Sequence, residues 1–269
     1  MHQLISPRSI VVSLLAAWCL LSPLAAAQEV LNRPHVDVIF VPTPNNVVER
    51  MLGMAQVRSD DYVIDLGSGD GRVLVAAAKN HGARGFGVDI DPELVKEARQ
   101  NAQTAGVADR VEFRQQNLFE TPIRDATVLT MYLMPDVNLK LRPRVLSELR
   151  PGARVVSHHF DMGDWKPDQR ATVDRSKVYM WIVPAKVEGR WTVQTDDGQS
   201  LALDLKQRYQ EIEGTATLDG RAFPIRQGRV RGAQISFVIA TGQGRATHYT
   251  GQIVGNVIQA RRVRAPGSG

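Results

Sequence analysis

The residues best suited to chemistry begin with Asp65-Leu66-Gly67-Ser68-Gly69-Asp70-Gly71. An apolar stretch, Tyr62 to Leu66, precedes this loop, and an apolar run, Val73 to Ala78, follows it. Glycine tolerates positive φ and lets a ligand approach the backbone closely. A loop of this kind at the carboxyl end of a first strand is where open α/β sheets bind ligands. The pattern does not suit a pyrophosphate. A dinucleotide fingerprint wants glycine where Arg72 stands, no Gly-Lys-Ser/Thr string is present, and Asp70 would repel phosphate. The loop therefore favours a ligand without phosphates.

Asp89 lies twenty-four residues after Asp65, at the end of a second apolar stretch, Gly85-Phe86-Gly87-Val88-Asp89. A carboxylate there can accept hydrogen bonds from two ribose hydroxyls; alternatively it caps nearby backbone. Asp91, followed by Pro92, reads as a helix N-cap. Asn117 follows a third stretch, and its side-chain oxygen can accept from an adenine amino group or bond its own loop. Tyr132 ends a fourth stretch and is placed to face a reacting group. His158 and His159 end a fifth, where ordinary packing is the simpler role.

Alternating strands and helices must position these residues. Strands are expected at 62–66, 85–89, 111–113, 126–131 and 154–158. Helices are expected after Asn45 or Asn46 as cap, at 73–78, from Pro92 to a stop at Gly106, and at 141–149 with Pro143 in its first turn. This order predicts a doubly wound, mostly parallel sheet with helices on both faces. Residues 170–173 and 178–183 could close it as a hairpin. Beyond Pro184 helical periodicity stops. Short alternating runs at 191–193, 201–205, 214–218, 234–239, 248–251 and 257–260, with turn pairs at Asp197-Gly198 and Asp219-Gly220, predict a small antiparallel β module, either a sheet or an open barrel.

Composition narrows the class. The 269 residues are 43% hydrophobic and 23% charged, values of an ordinary globular protein rather than a disordered or multi-pass chain. Arg8, the apolar run Ile10 to Leu21 and the small residues Ala25-Ala26-Ala27 have the order of a signal peptide cut before Gln28. An uncleaved anchor is the alternative, although the run is shorter than the roughly 20 residues of a membrane span. The expected domains are thus 1–27 signal, 28–184 ligand-binding domain, 185–264 β module and 265–269 tail, and the expected location is exported or membrane-anchored. Cys19 is the only cysteine. A chain cut at Gln28 therefore has no disulfide or thiolate chemistry. The net charge of +5 falls on the β module, with twelve Lys and Arg against seven Asp and Glu from Ala185 onward. That excess could meet a membrane surface or a protein partner. With no aromatic-basic ladder, no specific nucleic acid is expected.

Together, the loop at 65–71 and Gly87-Val88-Asp89 resemble the first two motifs of the class I S-adenosyl-L-methionine (SAM) methyltransferases. The resemblance spans about residues 40–184. It implies that Asp65 with Gly67, Ser68, Gly69 and Gly71 holds the methionine portion, Asp89 the ribose and Asn117 the adenine. A narrower set is similar to the small lysine methyltransferases of mitochondrial inner-membrane proteins and their bacterial relatives: Phe40-Val41-Pro42-Thr43-Pro44, Gly67 to Arg72, Tyr132-Leu133-Met134-Pro135 and Arg154-Val155-Val156-Ser157-His158. It implies a protein-lysine substrate, with Thr43 closing over the cofactor and Tyr132 near the methyl group. Two other readings stay open: an exported SAM-binding protein without transfer, and a small-molecule methyltransferase with the β module as lid or docking surface.

Overall fold

The computed structural model describes residues 40–196, 198–240 and 246–263. The expected signal segment, the tail at 265–269 and Asp197 of the first turn pair lie outside the described residues.

The first half alternates as expected. Helix α1 (Asn45–Met54) precedes β1 (Tyr62–Leu66), α2 (Arg72–His81), β2 (Arg84–Asp89), α3 (Pro92–Thr104), β3 (Val111–Gln115), β4 (Val128–Met131), α4 (Pro135–Glu148), β5 (Arg154–His158), β6 (Gln169–Val173) and β7 (Ser176–Ile182). The strands form one seven-stranded sheet in the order β3-β2-β1-β4-β5-β7-β6. β1 to β5 run parallel, and β7 is antiparallel to both of its neighbours. The reversal of order between β1 and β4 creates the switch point beside the Gly loop.

Side-chain alternation along the strands divides the core. Val63, Val128 and Val156 face α1, α2 and α3, whose buried residues include Val48, Leu52, Leu74 and Ala98. Ile64, Leu129 and Val155 face the other side, where Leu141 and Val145 of α4 pack with Trp165 and Trp181. Full burial of such side chains contributes about 1.5–3 kcal/mol each, so this layer holds the loop ends in place.

Two helix expectations need correction. α4 begins at Pro135, not near Leu141, because Pro135 takes the first helical position and Asp136 the first turn. Pro143 thus lies inside the helix. The carbonyl that loses its donor belongs to Leu139, an exposed residue. Neither asparagine caps α1: Pro44 is the N-cap, and its carbonyl accepts from Val47 and Val48. Asn46 instead reaches Asp174 with its amide, at 2.8 Å.

The second half is all strand: β8 (Gly189–Thr195), β9 (Ser200–Arg208), β10 (Glu211–Leu218), β11 (Arg221–Arg231), β12 (Gln234–Ala240), β13 (Ala246–Val254) and β14 (Val257–Val263). It is a closed barrel, not a sheet or an open barrel. The closure is a parallel pairing of β14 with β8, through Gln259↔Gln194 and Ala260↔Thr195. All other barrel pairs are antiparallel. Closure removes the exposed edges of a free sheet. The interior is filled: Val193, Leu203, Leu205, Phe237 and Ile258 are buried together. The rings of Phe237 and Tyr249 stack inside at 5.3 Å.

The barrel is seated through the segment after β5. Asp164 accepts from Arg208 at 2.7 Å, from Tyr209 at 3.0 Å and from Arg142 of α4 at 2.5 Å. Those donors hold its carboxyl down at about 2, with Arg208 the main cause. Lys166 pairs with Glu211, and Asp168 with Arg229. Gly232, in the β11–β12 turn, meets Gly152 at the start of β5. Of these, Asp168, which accepts from the Ile182 amide opposite Arg154, and Gly152 lie at the amino end of β5.

Candidate active site

The loop from β1 to α2 is left-handed at Gly67, Gly69 and Gly71, with φ of 75°, 51° and 79°. Gly67 and Ser68 both donate to the Val88 carbonyl at 2.9 Å. Gly69 donates to Asp89 Oδ2 at 2.8 Å. Three successive amides thus strap the loop to the end of β2. Gly87 is the hidden requirement. A Cβ there would lie 2.6 Å from Ser68 Cβ, so only glycine lets the loop pass. The Ser68 hydroxyl is buried without a hydrogen-bond partner among the described residues. A cofactor would meet Ser68 through its main chain.

Gly71 is the N-cap of α2. A Cβ on it would meet Phe113 Cζ at 2.6 Å and Ala98 Cβ at 2.9 Å. Gly71→Ala therefore combines a positive-φ penalty of about 1–2 kcal/mol with overpacking of about 1–3 kcal/mol. Chemical denaturation is expected to show a loss of roughly 2–4 kcal/mol; a loss below about 1 kcal/mol would contradict this packing.

Charge at the loop is lopsided. Asp65 is buried on the α1–α3 face and accepts from Thr130 Oγ1 at 2.7 Å. Burial, then the nearby Asp89 and Asp70 carboxylates, push its carboxyl up to about 7 despite the Thr130 bond. Asp70 has its own cation: Arg72 Nη2 lies 2.5 Å from its Oδ2. Asp65 has no ion pair among the described residues. A cationic ligand fits this cradle; a pyrophosphate does not.

Asp89 is half-buried at the end of β2. Its Oδ2 accepts from Gly69 and its Oδ1 from the Asp91 amide at 3.1 Å. Each oxygen retains a second lone pair for a hydroxyl donor. Asp91 caps α3 by accepting from the Glu93 amide at 2.8 Å, as expected. Asn117 is exposed, and its Oδ1 accepts from the Phe119 amide at 3.0 Å. The loop-bonding alternative thus describes Asn117 here, and an adenine contact would share that oxygen. Ile90 and Phe119 are exposed apolar side chains beside these positions and could flank an aromatic base.

At the ends of β4 and β5 the structure brings together Thr43, Tyr132, His158 and Phe160. Thr43 Oγ1 and His158 Nδ1 share a buried hydrogen bond of 3.1 Å. The Tyr132 ring lies 4.0 Å from His158 and 6.4 Å from Phe160. Burial, with His159 adding repulsion, holds the His158 imidazole down at about 4. Its Nε2 is buried, with no hydrogen-bond partner among the described residues. The result is an aromatic cluster around a neutral imidazole, next to an acidic cradle.

Sequence reasoning missed the connectors. Arg72 donates to the Thr43 carbonyl at 2.9 Å while pairing with Asp70, so it joins the N-terminal arm to the loop. Asn101 of α3 donates to the Asp70 carbonyl at 2.9 Å. The adjacency of Asp70 and Arg72 was a visible signal for the first; nothing local marks Asn101.

Comparison with known proteins agrees with this geometry. The family model of the ANTKMT methyltransferase domain matches residues 65–169. A protein-lysine N-methyltransferase of Saccharolobus islandicus is 43% identical over 155 residues, covering 56% of this chain and 95% of that protein. The adenine nucleotide translocase lysine N-methyltransferase of Mus musculus is 34% identical, over 49% of this chain and 58% of its own length. Among solved structures, an RNA methyltransferase from Salinibacter ruber bound to S-adenosyl-L-homocysteine is 56% identical with a TM-score of 0.54, covering 55% of this chain and 96% of that one. The chain belongs to the class I SAM-dependent methyltransferases, in the family that holds the Saccharolobus protein-lysine enzyme and the adenine nucleotide translocase lysine methyltransferase.

Proposed function

We propose that this enzyme methylates a protein lysine. The reading rests on the 43% identity with the Saccharolobus enzyme over nearly that enzyme's whole length. SAM supplies an electrophilic methyl on a sulfonium; the protein supplies position and electrostatics. Asp65 and the loop backbone hold the methionine portion, Asp89 the ribose, and Asn117 lies near the adenine. Tyr132, with Thr43 and His158 behind it, faces the acceptor. A lysine amine must lose its proton before it attacks, and its pKa in water is about 10.4. The half-buried Tyr132 and Phe160 rings and a neutral His158 disfavour the ammonium form. The loss of the ammonium charge that they favour is the change the reaction requires.

Incubation with methyl-labelled SAM, cell-envelope protein and RNA from the same cells tests the acceptor. Label is expected in protein and, after acid hydrolysis, in methyl-lysine. Label in RNA would replace the lysine reading with the activity named for the Salinibacter relative. SAM binding without transfer to either would favour a binding protein. The order of residues 8–27 supports an exported or membrane-anchored enzyme. SAM made in the cytoplasm would then have to reach it, and N-terminal sequencing of fractionated cells tests that location.

A further inference from the structure

The barrel carries a charge bias that methyl transfer does not use. From Arg221 to the last residue the chain has eight arginines and no aspartate or glutamate. That stretch supplies β11, β12, β13 and β14, which are consecutive neighbours in the barrel wall.

Register sorts the outward side chains of this wall into rows. At the β13–β14 turn, Val254 pairs with Val257. They are 56% and 53% exposed, and only Gly255 and Asn256 separate them. The next outward row runs Arg231, Gln234, Gln252, Gln259 across four strands. The row after it is Arg229, Ser236, Thr250, Arg261. Inward positions between them, Val230, Ile235, Ile253 and Ile258, are buried core. Arg229 is committed to Asp168 at 2.7 Å. Arg231 and Arg261 have no carboxylate partner among the described residues. A groove of about 650 Å³ follows these two polar rows.

Polarity is thus graded along the strands. The tip is apolar, the next level amide and guanidinium, the next hydroxyl and guanidinium. Alternate residues on a strand are about 6.7 Å apart, so the rows lie roughly 7 and 13 Å above the valine tip. A bilayer's polar zone is roughly 5–8 Å deep on each side of the hydrocarbon. Valines at the acyl boundary would set the Arg231 row in the outer part of the headgroup zone and the Arg261 row about 5 Å beyond it, within a Debye length of the surface charge. Nucleic acid fits less well. Phe237 and Tyr249 are buried, so among the described residues of β12 and β13 the imidazole of His248 is the one exposed ring, too few for a stacking platform, and the bare valines have no role against phosphates.

We propose that the β11–β14 wall docks on an anionic lipid surface, with the Val254–Val257 turn dipping into it. This docking is independent of which acceptor the enzyme methylates.

The test uses the full chain with two kinds of vesicle, phosphatidylcholine alone and phosphatidylcholine with one part in three phosphatidylglycerol. Co-sedimentation is expected to favour the anionic vesicles and to weaken with salt. Arg231→Glu with Arg261→Glu should weaken that partition by about tenfold or more, and Val254→Asp with Val257→Asp by roughly fivefold or more. SAM binding serves as the folding control, since none of the four residues lies near the cofactor loop. An N-terminal apolar segment that dominated binding would mask these losses, so a second measurement reads the turn itself. With Cys19→Ser as background, Asn256→Cys carrying an environment-sensitive fluorophore should shift to the blue on anionic vesicles. Equal binding to both vesicles with no shift overturns the proposal. So does a loss of single-stranded RNA binding in the arginine variant with vesicle binding unchanged.

Discussion

Asp89→Ala is expected to lower SAM affinity by at least about a hundredfold. The carboxylate is assigned two ribose hydroxyls, and each hydrogen bond to a charged group contributes about 1.5–3 kcal/mol. The same carboxylate also accepts from the Gly69 amide at 2.8 Å, so its removal unstraps the loop to which we assign the methionine portion. Asp89→Asn separates these effects. It retains one side-chain oxygen for Gly69 and sheds the charge, so its loss should be smaller. Isothermal titration calorimetry measures both, and thermal melts check that the fold persists. Affinity in Asp89→Ala within about threefold of the parent would refute the ribose assignment, taking about 1.4 kcal/mol as tenfold.

The second large effect is a pH dependence at Asp65. Its carboxyl titrates at about 7 in the folded protein against 3.8 for the free side chain. Between those values the folded chain holds a proton that the unfolded chain has lost. Its stability therefore falls as pH rises from about 4 to 7 and levels off above. A sulfonium and an ammonium beside Asp65 favour the ionised carboxylate, so cofactor binding expels the proton. SAM affinity should rise with pH up to about 7, by at most about tenfold per unit, then flatten. Asp65→Asn should bind weakly and lack that slope, and its cofactor-free form should be more stable than the parent at pH of about 8. Calorimetry in buffers of different ionisation enthalpy counts the proton released. A parent affinity independent of pH between about 5.5 and 7 would remove Asp65 from the methionine site.

The legible parts of the chain were those where local chemistry and tertiary fold agree. β5 begins at Arg154 and ends at His158 as its apolar run does, and Asp91-Pro92 starts α3 where cap and proline coincide. The glycines of the loop announced their own backbone. The misses have physical causes. β11 escaped because Pro224 and a left-handed Gln227, φ 50°, interrupt its alternation. Its register against β12 slips between Arg226 and Arg229. Barrel closure joins residues that no local pattern relates. At the site, the partnership of Thr43 with His158 spans 115 residues, so the sequence could suggest Thr43 as a cover but not its partner. Asn117 was ambiguous in sequence, and in the structure its Oδ1 accepts from the Phe119 amide of its own loop.

The parallel pairing that closes the barrel sets an order of events. Gln194 and Gln259 must meet, and they lie 65 positions apart in the chain. Hairpins between consecutive strands can form while the chain is still emerging, but this contact waits for the final strand. Until then the first and last strands keep bare edges, the state most open to mispairing with another copy. For a chain that emerges amino end first, the barrel closes only once β14 has appeared, whereas the cofactor loop and its strands have by then been free to assemble.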